Sequence, residues 1–447
     1  MLYKIAHIAG WNNYPRQTCK LLRPEKYKDL SAYSTLIARG QGRSYGDASL
    51  NTAGYVVLTE RLNRFLAFNK EQGVLTAEAG VTLAEILEVI IPAGWFLPII
   101  PGTKFVSLGG CIATDVHGKN HHLKGSFSQY VLAIELMTAD NQIINCSANE
   151  NADSFWATVG GMGLTGIIRS VTLKLMPISS TYLQAKYLPA QNIEDTFTYL
   201  SDSALEDEYS VAWVNCLTTS KQLGQSIIMN YRHLAAEELP EKLQQNPLAI
   251  TSYRHVNIPF NLPAWTLNNT TVNLYNNYYY KKCLRKADTF ITDYENCFFP
   301  LDNITHWNRL YGHKGFIQYQ CVLPTSQAFT GIKAILEKLT HTRQLVFLGV
   351  LKRFGQSSLG LLSFPMPGYT LCLDIPFRDQ RLLQVLDELD EIVINHGGRI
   401  YLAKDARLKA DNFKLMYPNA ASWLQQKQLL DPNNCFSSSL SQRLHLG

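Results

Sequence analysis

Ala157-Thr-Val-Gly-Gly-Met-Gly-Leu-Thr-Gly166, followed by Ile167-Ile-Arg-Ser-Val-Thr-Leu-Lys-Leu175, decides the fold of this chain. Gly161, Gly163 and Gly166 match G-x-G-x-x-G, the turn that opens a dinucleotide-binding βαβ unit. That unit needs a helix directly after the third glycine, so that the helix N-terminus faces the pyrophosphate. Here Val171, Leu173 and Leu175 alternate with Thr172 and Lys174, the period of a half-buried strand. A Rossmann-type NAD site is therefore rejected.

The surrounding texture agrees. Residues 30–176 are rich in glycine and β-branched residues, with strands expected at 55–58 and 74–79. Thr82-Leu-Ala-Glu85 is a capping box, and the helix it opens should end near Pro92 and Gly94. Strands mixed with helices and long glycine loops predict α+β architecture. After Pro177 glycine thins, which puts a domain boundary near 177–185. Residues 264–286, AWTLNNTTVNLYNNYYYKKCLRK, are dense in Asn and Tyr with little periodicity and predict a long loop. Strands resume from Gly315, and residues 396–402 and 430–444 regain the earlier character. The expected division is therefore 1–180 and 395–447 around an inserted 181–394.

The 447-residue chain is too long for one ordinary core, and its 46% hydrophobic and 17% charged residues fit a folded protein. A net charge of +5 without a basic block argues against a nucleic-acid specialist and suits an anionic substrate or surface. Nine cysteines with no C-x-x-C pair suggest neither a disulfide framework nor a zinc module, and point to a reducing compartment. Residues 1–11 lack a signal-peptide pattern, and no eighteen-residue apolar run predicts a spanning helix. A cytoplasmic protein is expected, with peripheral contact at the inner face of the membrane left open.

Two glycine-rich segments carry the chemistry. In Ala38-Arg-Gly-Gln-Gly-Arg-Ser-Tyr-Gly-Asp47, Gly40, Gly42 and Gly46 allow turns that aim successive amides at one spot, an anion nest suited to a pyrophosphate. One such loop is equally an ordinary surface turn, and it lacks a P-loop ending. In the second, Pro101-Gly-Thr and then Val106-Ser-Leu-Gly-Gly-Cys-Ile-Ala-Thr-Asp-Val-His-Gly-Lys-Asn-His-His122, polar and cationic groups crowd together. His117 and His121 would share a helix face, but Gly118 and Asn120 disfavour a helix and no ligand set has metal spacing, so no metal is assigned. A plain hydrogen-bonded role for His121 or His122 stays open. Period two puts Gln318 and Gln320 on one strand face, and Thr370, Cys372 and Asp374 on another. A cysteine there is either structural or pocket-lining. Lys404 beside Asp405 reads on composition as a surface ion pair.

Together R-G-Q-G-R-S-Y-G-D (39–47), P-G-T, S-L-G-G and D-V-H-G-K-N-H-H (101–122), F-W-A-T-V-G-G-M-G-L-T-G (155–166) and Y-L-A-K-D (401–405) resemble the FAD-binding oxidases of the vanillyl-alcohol-oxidase, or PCMH, type. The resemblance runs over nearly the whole chain, through W-N-R-L-Y-G (307–312), G-F-I-Q-Y-Q (315–320), S-F-P-M-P-G (363–368) and the Asp431-Pro tail. D-V-H-G-K-N-H-H is specific to the branch that oxidises polyprenylphosphoryl-β-D-riboses. The resemblance implies a two-domain α+β fold, with an FAD domain built from both chain ends and an inserted substrate domain containing an antiparallel sheet. It implies FAD contacts from Arg39, Gly40, Gln41, Gly42, Arg43, Ser44, Tyr45 and Gly46, then Gly102, Ser107, Leu108, Gly109, Gly110, Thr114, Asp115, Val116, His117, Ile167 and Tyr401. Many relatives bond the flavin to a histidine in the glycine loop; Arg43 stands at that position, so non-covalent FAD is implied.

The implied reaction takes the 2-hydroxyl of a polyprenylphosphoryl-β-D-ribose to the 2-keto sugar. This is the first half of an epimerisation to the arabinose form for cell-wall arabinan, completed by a separate short-chain NAD-dependent reductase. Lys404, His117 and Tyr45 are the implied catalytic group. Gln318, Gln320 and Cys372 line the implied pocket, and Lys119 and Lys352 are candidates for the phosphate. Thr370 replaces an asparagine common in that branch, which bears on substrate fit. Residues 264–286, with Trp265 and Tyr278, are either a lid for the lipid tail or a polar loop. An oxidase of a soluble sugar alcohol or aldonolactone is the competing reading.

Overall fold

The computed structural model describes residues 2–24, 33–203, 207–250, 256–286 and 289–447. Three sheets of four or more strands follow one another along the chain, with two short two-stranded ones among the described residues. The first holds β1 (Lys4–Ala9), β2 (Arg16–Leu22), β3 (Leu36–Arg39) and β4 (Tyr55–Leu58) in the order β1-β2-β4-β3, with β4 parallel to both neighbours. The second is antiparallel, with β5 (Phe65–Asn69), β6 (Val74–Glu78), β7 (Val131–Met137), β8 (Ile143–Cys146) and β9 (Ile167–Lys174) in the order β5-β6-β9-β7-β8. β9 starts directly after Gly166 and lies mid-sheet, so a strand stands where a dinucleotide fold needs its helix. The capping box forms: Glu85 N donates to Thr82 Oγ1 at 3.2 Å and Thr82 N to Glu85 Oε2 at 2.8 Å. It opens α1 (Leu83–Ile90), which buries Leu83, Ile86, Leu87 and Ile90, and Gly94 in the left-handed region ends the run. The short α2 (Leu108–Ala113) follows Ser107.

The third sheet is the largest and wholly antiparallel. Its strands are β10 (Tyr182–Ala190), β11 (Tyr209–Val214), β12 (Ser226–His233), β13 (Phe290–Asp293), β14 (Phe316–Pro324), β15 (Leu348–Phe354), β16 (Gly368–Pro376) and β17 (Arg399–Ile400). Their order is β13-β10-β12-β11-β15-β16-β14-β17.

Most of the segment expected to be a long loop is instead a helix, α3 (Asn269–Leu284). Asn268 caps it, accepting from Thr270 N at 2.9 Å and Thr271 N at 3.1 Å. Val272, Asn276, Tyr280 and Cys283 recur at helical spacing and are buried. Asn276 donates there to Asn215 Oδ1 at 2.9 Å. An amide inside the stripe, and Leu274, Tyr275 and Tyr278 outside it, hide the period from a hydrophobicity reading.

The tail packs on the first sheet. Leu36 N donates to Cys435 O at 2.7 Å and Ser437 N to Leu36 O at 2.9 Å. Trp423, fully buried, donates to Ala157 O at 2.8 Å beneath the glycine turn; burial of an indole contributes about 3 kcal/mol. The last helix, α4 (Ser439–Leu444), carries Arg443 to the end of the first glycine loop.

Candidate active site

β3 ends at Arg39 and releases the chain into the loop 40–46. Among the described residues the amides of Gly40, Gln41, Gly42, Arg43 and Ser44 have no protein acceptor, as an anion nest requires. The second glycine segment closes on this loop: a β-carbon at Gly40 would overlap Ser107 Oγ. Gly110 also lies against that hydroxyl, Gly109 N donates to Ala79 O at 2.8 Å, and Gly102 borders open space. Other members of the expected set anchor the cradle through their side chains. Arg39 donates to Ala9 O at 2.6 Å and to Ser49 Oγ at 3.1 Å. The Arg43 guanidinium lies 4.0 Å from the centre of the Trp11 ring. Asp115 is buried and accepts from Ser363 Oγ and from Ser128 N at 3.3 Å. Leu108, Val116 and Ile167 are core residues, and Thr114 Oγ1 donates to Gly110 O at 2.8 Å. Tyr401 donates to Thr114 O at 2.8 Å and stacks on Phe364.

The reacting end is built by strand register. Residues directly opposite in an antiparallel ladder share a face. β14 sets Gln318 opposite Asp374 and Gln320 opposite Cys372 on β16, and β15 sets Lys352 opposite Thr370. Six polar side chains are thereby gathered on one face. Lys404, ending the turn Leu402–Lys404, comes to it with its ammonium 3.7 Å from the centre of the Tyr45 ring. Tyr45 N donates to Ala403 O at 2.9 Å, which ties the glycine loop to the lysine segment.

Hydrogen bonds fix the roles. Gln320 Nε2 donates to Thr370 Oγ1 and to His117 Nε2, each at 3.1 Å. His117 Nε2 must then accept, which puts its proton on Nδ1, and buried Nδ1 has no partner among the described residues. Burial, with the charges of Lys352, His121 and Lys404, holds His117 well below the usual histidine range, so it is neutral. Burial takes Lys404 down to about 8, against the opposing pull of Cys372 and Asp374. Burial also takes Lys352 down to about 8, the nearby Lys119 and Lys404 adding to it. Burial raises Cys372 to about 12 and raises Tyr45, so both keep their protons.

Asp374, which the sequence reading placed on a strand face with Thr370 and Cys372 but not among the candidate site residues, joins this cluster. It accepts from Gln318 Nε2 at 2.5 Å and from Tyr311 OH at 3.3 Å. Burial raises its carboxyl to about 6, with Gln318, Lys404 and Tyr311 restraining the rise. Period two had placed it beside Cys372, but nothing local shows Lys404 arriving there. The expected Lys404–Asp405 surface pair does not form. Asp405 is buried and faces Arg443 on the far side of the turn. Lys119 donates to Cys297 O and lies 5.1 Å from the Tyr231 ring centre. His121 Nε2 is 3.2 Å from Ser126 Oγ, and His122 Nε2 is 3.2 Å from Asp207 O, so both are plainly hydrogen-bonded.

The chain is similar to known proteins in sequence and in fold. Residues 30–147 fit the sequence profile of an FAD binding domain. The chain is 36% identical over 416 residues to decaprenylphosphoryl-β-D-ribose oxidase of Mycolicibacterium smegmatis, covering 92% of this chain and 89% of that one. L-gulonolactone oxidase of Mus musculus is 33% identical over 140 residues, 31% of each chain. Among solved structures, xylooligosaccharide oxidase from Myceliophthora thermophila C1, in complex with xylobiose, has a TM-score of 0.68. The match covers 96% of this chain and 92% of that one at 16% identity, and shows a shared fold.

Proposed function

The chain belongs to the family of FAD-dependent decaprenylphosphoryl-β-D-ribose oxidases, and from that premise we propose that it oxidises the 2-hydroxyl of a polyprenylphosphoryl-β-D-ribose to the 2-keto sugar. The observation that carries the reading is Lys404, brought down to about 8 beside Tyr45 and Asp374 on the face that gathers Gln318, Gln320 and Lys352.

FAD, when bound, supplies the acceptor for the hydride leaving C2. The free amides of residues 40–44 fit its pyrophosphate, and His117 Nδ1–H is a donor kept for a ligand. Arg43, lying on Trp11, offers no covalent link, so the flavin is held non-covalently. Neutral Lys404 takes the hydroxyl proton, and the carboxylate of Asp374, fixed by Gln318 and Tyr311, stabilises the ammonium that forms. Gln318 Oε1, buried and without a partner among the described residues, is an acceptor for a sugar hydroxyl. Lys352 forms no ion pair among the described residues and suits the substrate phosphate; Lys119, engaged with Cys297 O, adds to the positive field. Cys372 lines the pocket as a thiol.

The lipid tail needs an apolar exit. Tyr275 of α3 stacks 6.2 Å from Phe347, which meets Tyr311 at 5.6 Å, and Tyr311 touches Asp374. Trp265, Leu274 and Tyr278 are exposed alongside. This aromatic line supports an exit toward α3 and a peripheral seat at the inner face of the membrane, where tyrosine and tryptophan are favoured; among the described residues no helix is long and apolar enough to cross it. In this reading residues 1–180 and 395–447 hold the cofactor and 181–394 the substrate, and a short-chain NAD-dependent reductase consumes the ketone. The test is anaerobic: a short-chain polyprenylphosphoryl ribose should bleach the flavin and simple alditols should not. Bleaching by alditols or aldonolactones alone would replace this reading with the soluble-sugar one.

A further inference from the structure

Arg443 touches none of the groups assigned to the reaction, yet it joins the two segments that carry them. Its Nη2 is 2.8 Å from Asp47 Oδ1 and 2.8 Å from Asp405 Oδ2. Its Nε donates to Asp47 Oδ2 at 3.1 Å, and its Nη1 to Leu408 O at 2.6 Å. Asp47 closes the glycine loop just after Tyr45, and Asp405 follows Lys404. Both carboxylates are buried and repel one another, so the guanidinium between them is what permits the approach. Arg407 also faces Asp405, but its guanidinium is engaged by Asp387 and Asp390. Backbone contacts complete the junction. Tyr45 N donates to Ala403 O, and Gly46 lies so close to the Asp405 carbonyl that a β-carbon there would overlap it. The buried ion pair Lys427–Asp431 lies apart from this junction: Lys427 Nζ donates to Leu164 O at 3.1 Å and to Phe436 O at 3.0 Å, and touches neither Asp47 nor Asp405.

We propose that Arg443 is a positioning residue: by clamping Asp47 to Asp405 it makes the glycine loop and Lys404 one rigid unit, which keeps the lysine over Tyr45 and the loop amides in place for the cofactor. The proposal rests on the role given above to Lys404. The last helix of the chain then completes the cofactor loop and the catalytic lysine in one contact. The charged and titratable groups facing Lys404 are Tyr45, Cys372 and Asp374, with Lys352 and His117 beyond, and replacing Arg443 alters none of them. A change in the behaviour of Lys404 would therefore report its position.

The test uses flavin-loaded protein with Arg443→Met, Arg443→Lys and the double variant Arg443→Met/Asp47→Asn, in which the carboxylate repulsion is gone and folding is protected. Flavin affinity is read by fluorescence, and single-turnover bleaching by a short-chain polyprenylphosphoryl ribose is read per bound flavin across pH. In the double variant the rate at saturating substrate should fall about 10²-fold with KM little changed. Flavin Kd should rise about tenfold. The pH midpoint should move about one unit alkaline as Lys404 gains water. Arg443→Lys should recover part of each effect, since one ammonium cannot fork across both carboxylates. A parental rate per bound flavin with a parental midpoint, or a parental flavin Kd, overturns the proposal even if the melting temperature drops. If the substrate assignment itself is wrong, the parent enzyme will not bleach, and the flavin-affinity arm still decides the clamp.

Discussion

Replacing Lys404 by methionine should make the protein more stable at neutral pH while removing its turnover. Burial lowers the lysine from 10.5 to about 8. Between those values the unfolded chain keeps a proton that the folded chain has released, so stability rises with pH through that window. Below it the lysine is charged in both states and the burial cost is fully present. At about 1.4 kcal/mol per unit this cost is roughly 3 kcal/mol, or about 2 kcal/mol after allowing for the side chain's remaining exposure and for Asp374 losing its counter-charge. Methionine has a similar length and no charge, so Lys404→Met recovers this amount below pH 8 and loses the advantage as the pH passes 10.5. For 447 residues at about 2 cal/mol/K each, unfolding entropy is near 0.9 kcal/mol/K, and the expected rise in Tm is about 2 °C if the chain melts as one unit. Scanning calorimetry of flavin-free protein at about pH 6.5 and about pH 10 reads both ends of the window. Turnover should fall by about 10²-fold or more. A lower Tm for the variant at the acid end, or a gain of equal size at both ends, would refute the claim that Lys404 is held at the expense of the fold.

Three further outcomes are expected. Gly46→Ala should cost at least about 3 kcal/mol and yield little or no flavin-loaded protein, because the new methyl meets backbone that cannot yield; normal flavin content in the purified variant would contradict the junction described above. The bleaching rate should climb about tenfold per pH unit below about 8 and level off above it, and Asp374→Asn should move that midpoint down by up to about one unit, since Asp374 raises Lys404; an unmoved midpoint removes Asp374 from the site. Acid precipitation should leave the flavin in the supernatant, and a yellow pellet would mean a covalent bond that Arg43 cannot make.

How much of this was legible in the chain depends on the range of each interaction. The capping box at Thr82 and Glu85 and the alternation after Gly166 are local, and each carries its own evidence within a few residues. The two polar strand faces were equally local, because period two puts Gln318 with Gln320 and Cys372 with Asp374 whatever lies beside them. Their neighbours were not: that β16 sits between β14 and β15, and so lines up Gln318, Asp374 and Lys352, is a non-local pairing that no spacing encodes. α3 was missed for another reason, since it buries Asn276 and exposes Leu274, Tyr275 and Tyr278, the inverse of the usual pattern. Without the family resemblance the site residues would have remained a set of unconnected polar positions.

Lys404 and Asp405 mark where a sequence reading of charge fails in principle. Adjacent opposite charges look like a pair because two exposed side chains in the same solvent drift together. Here both leave a tight turn into protein, on opposite sides, and each meets groups from a distant part of the chain: Asp405 meets Arg443, and Lys404 meets Tyr45 and Asp374. The separation has a chemical consequence. A lysine neutralised by its neighbour at close range would keep its proton well above neutrality and could not act as a base. Sending Asp405 to Arg443 leaves Lys404 with a more distant carboxylate and a dehydrated setting, and its pKa falls to about 8. Asp405 is held from behind by Arg443 and by Arg407 N and Leu408 N, which donate to its Oδ1, so the carboxylate next in sequence is turned to other partners and not to the Lys404 amine.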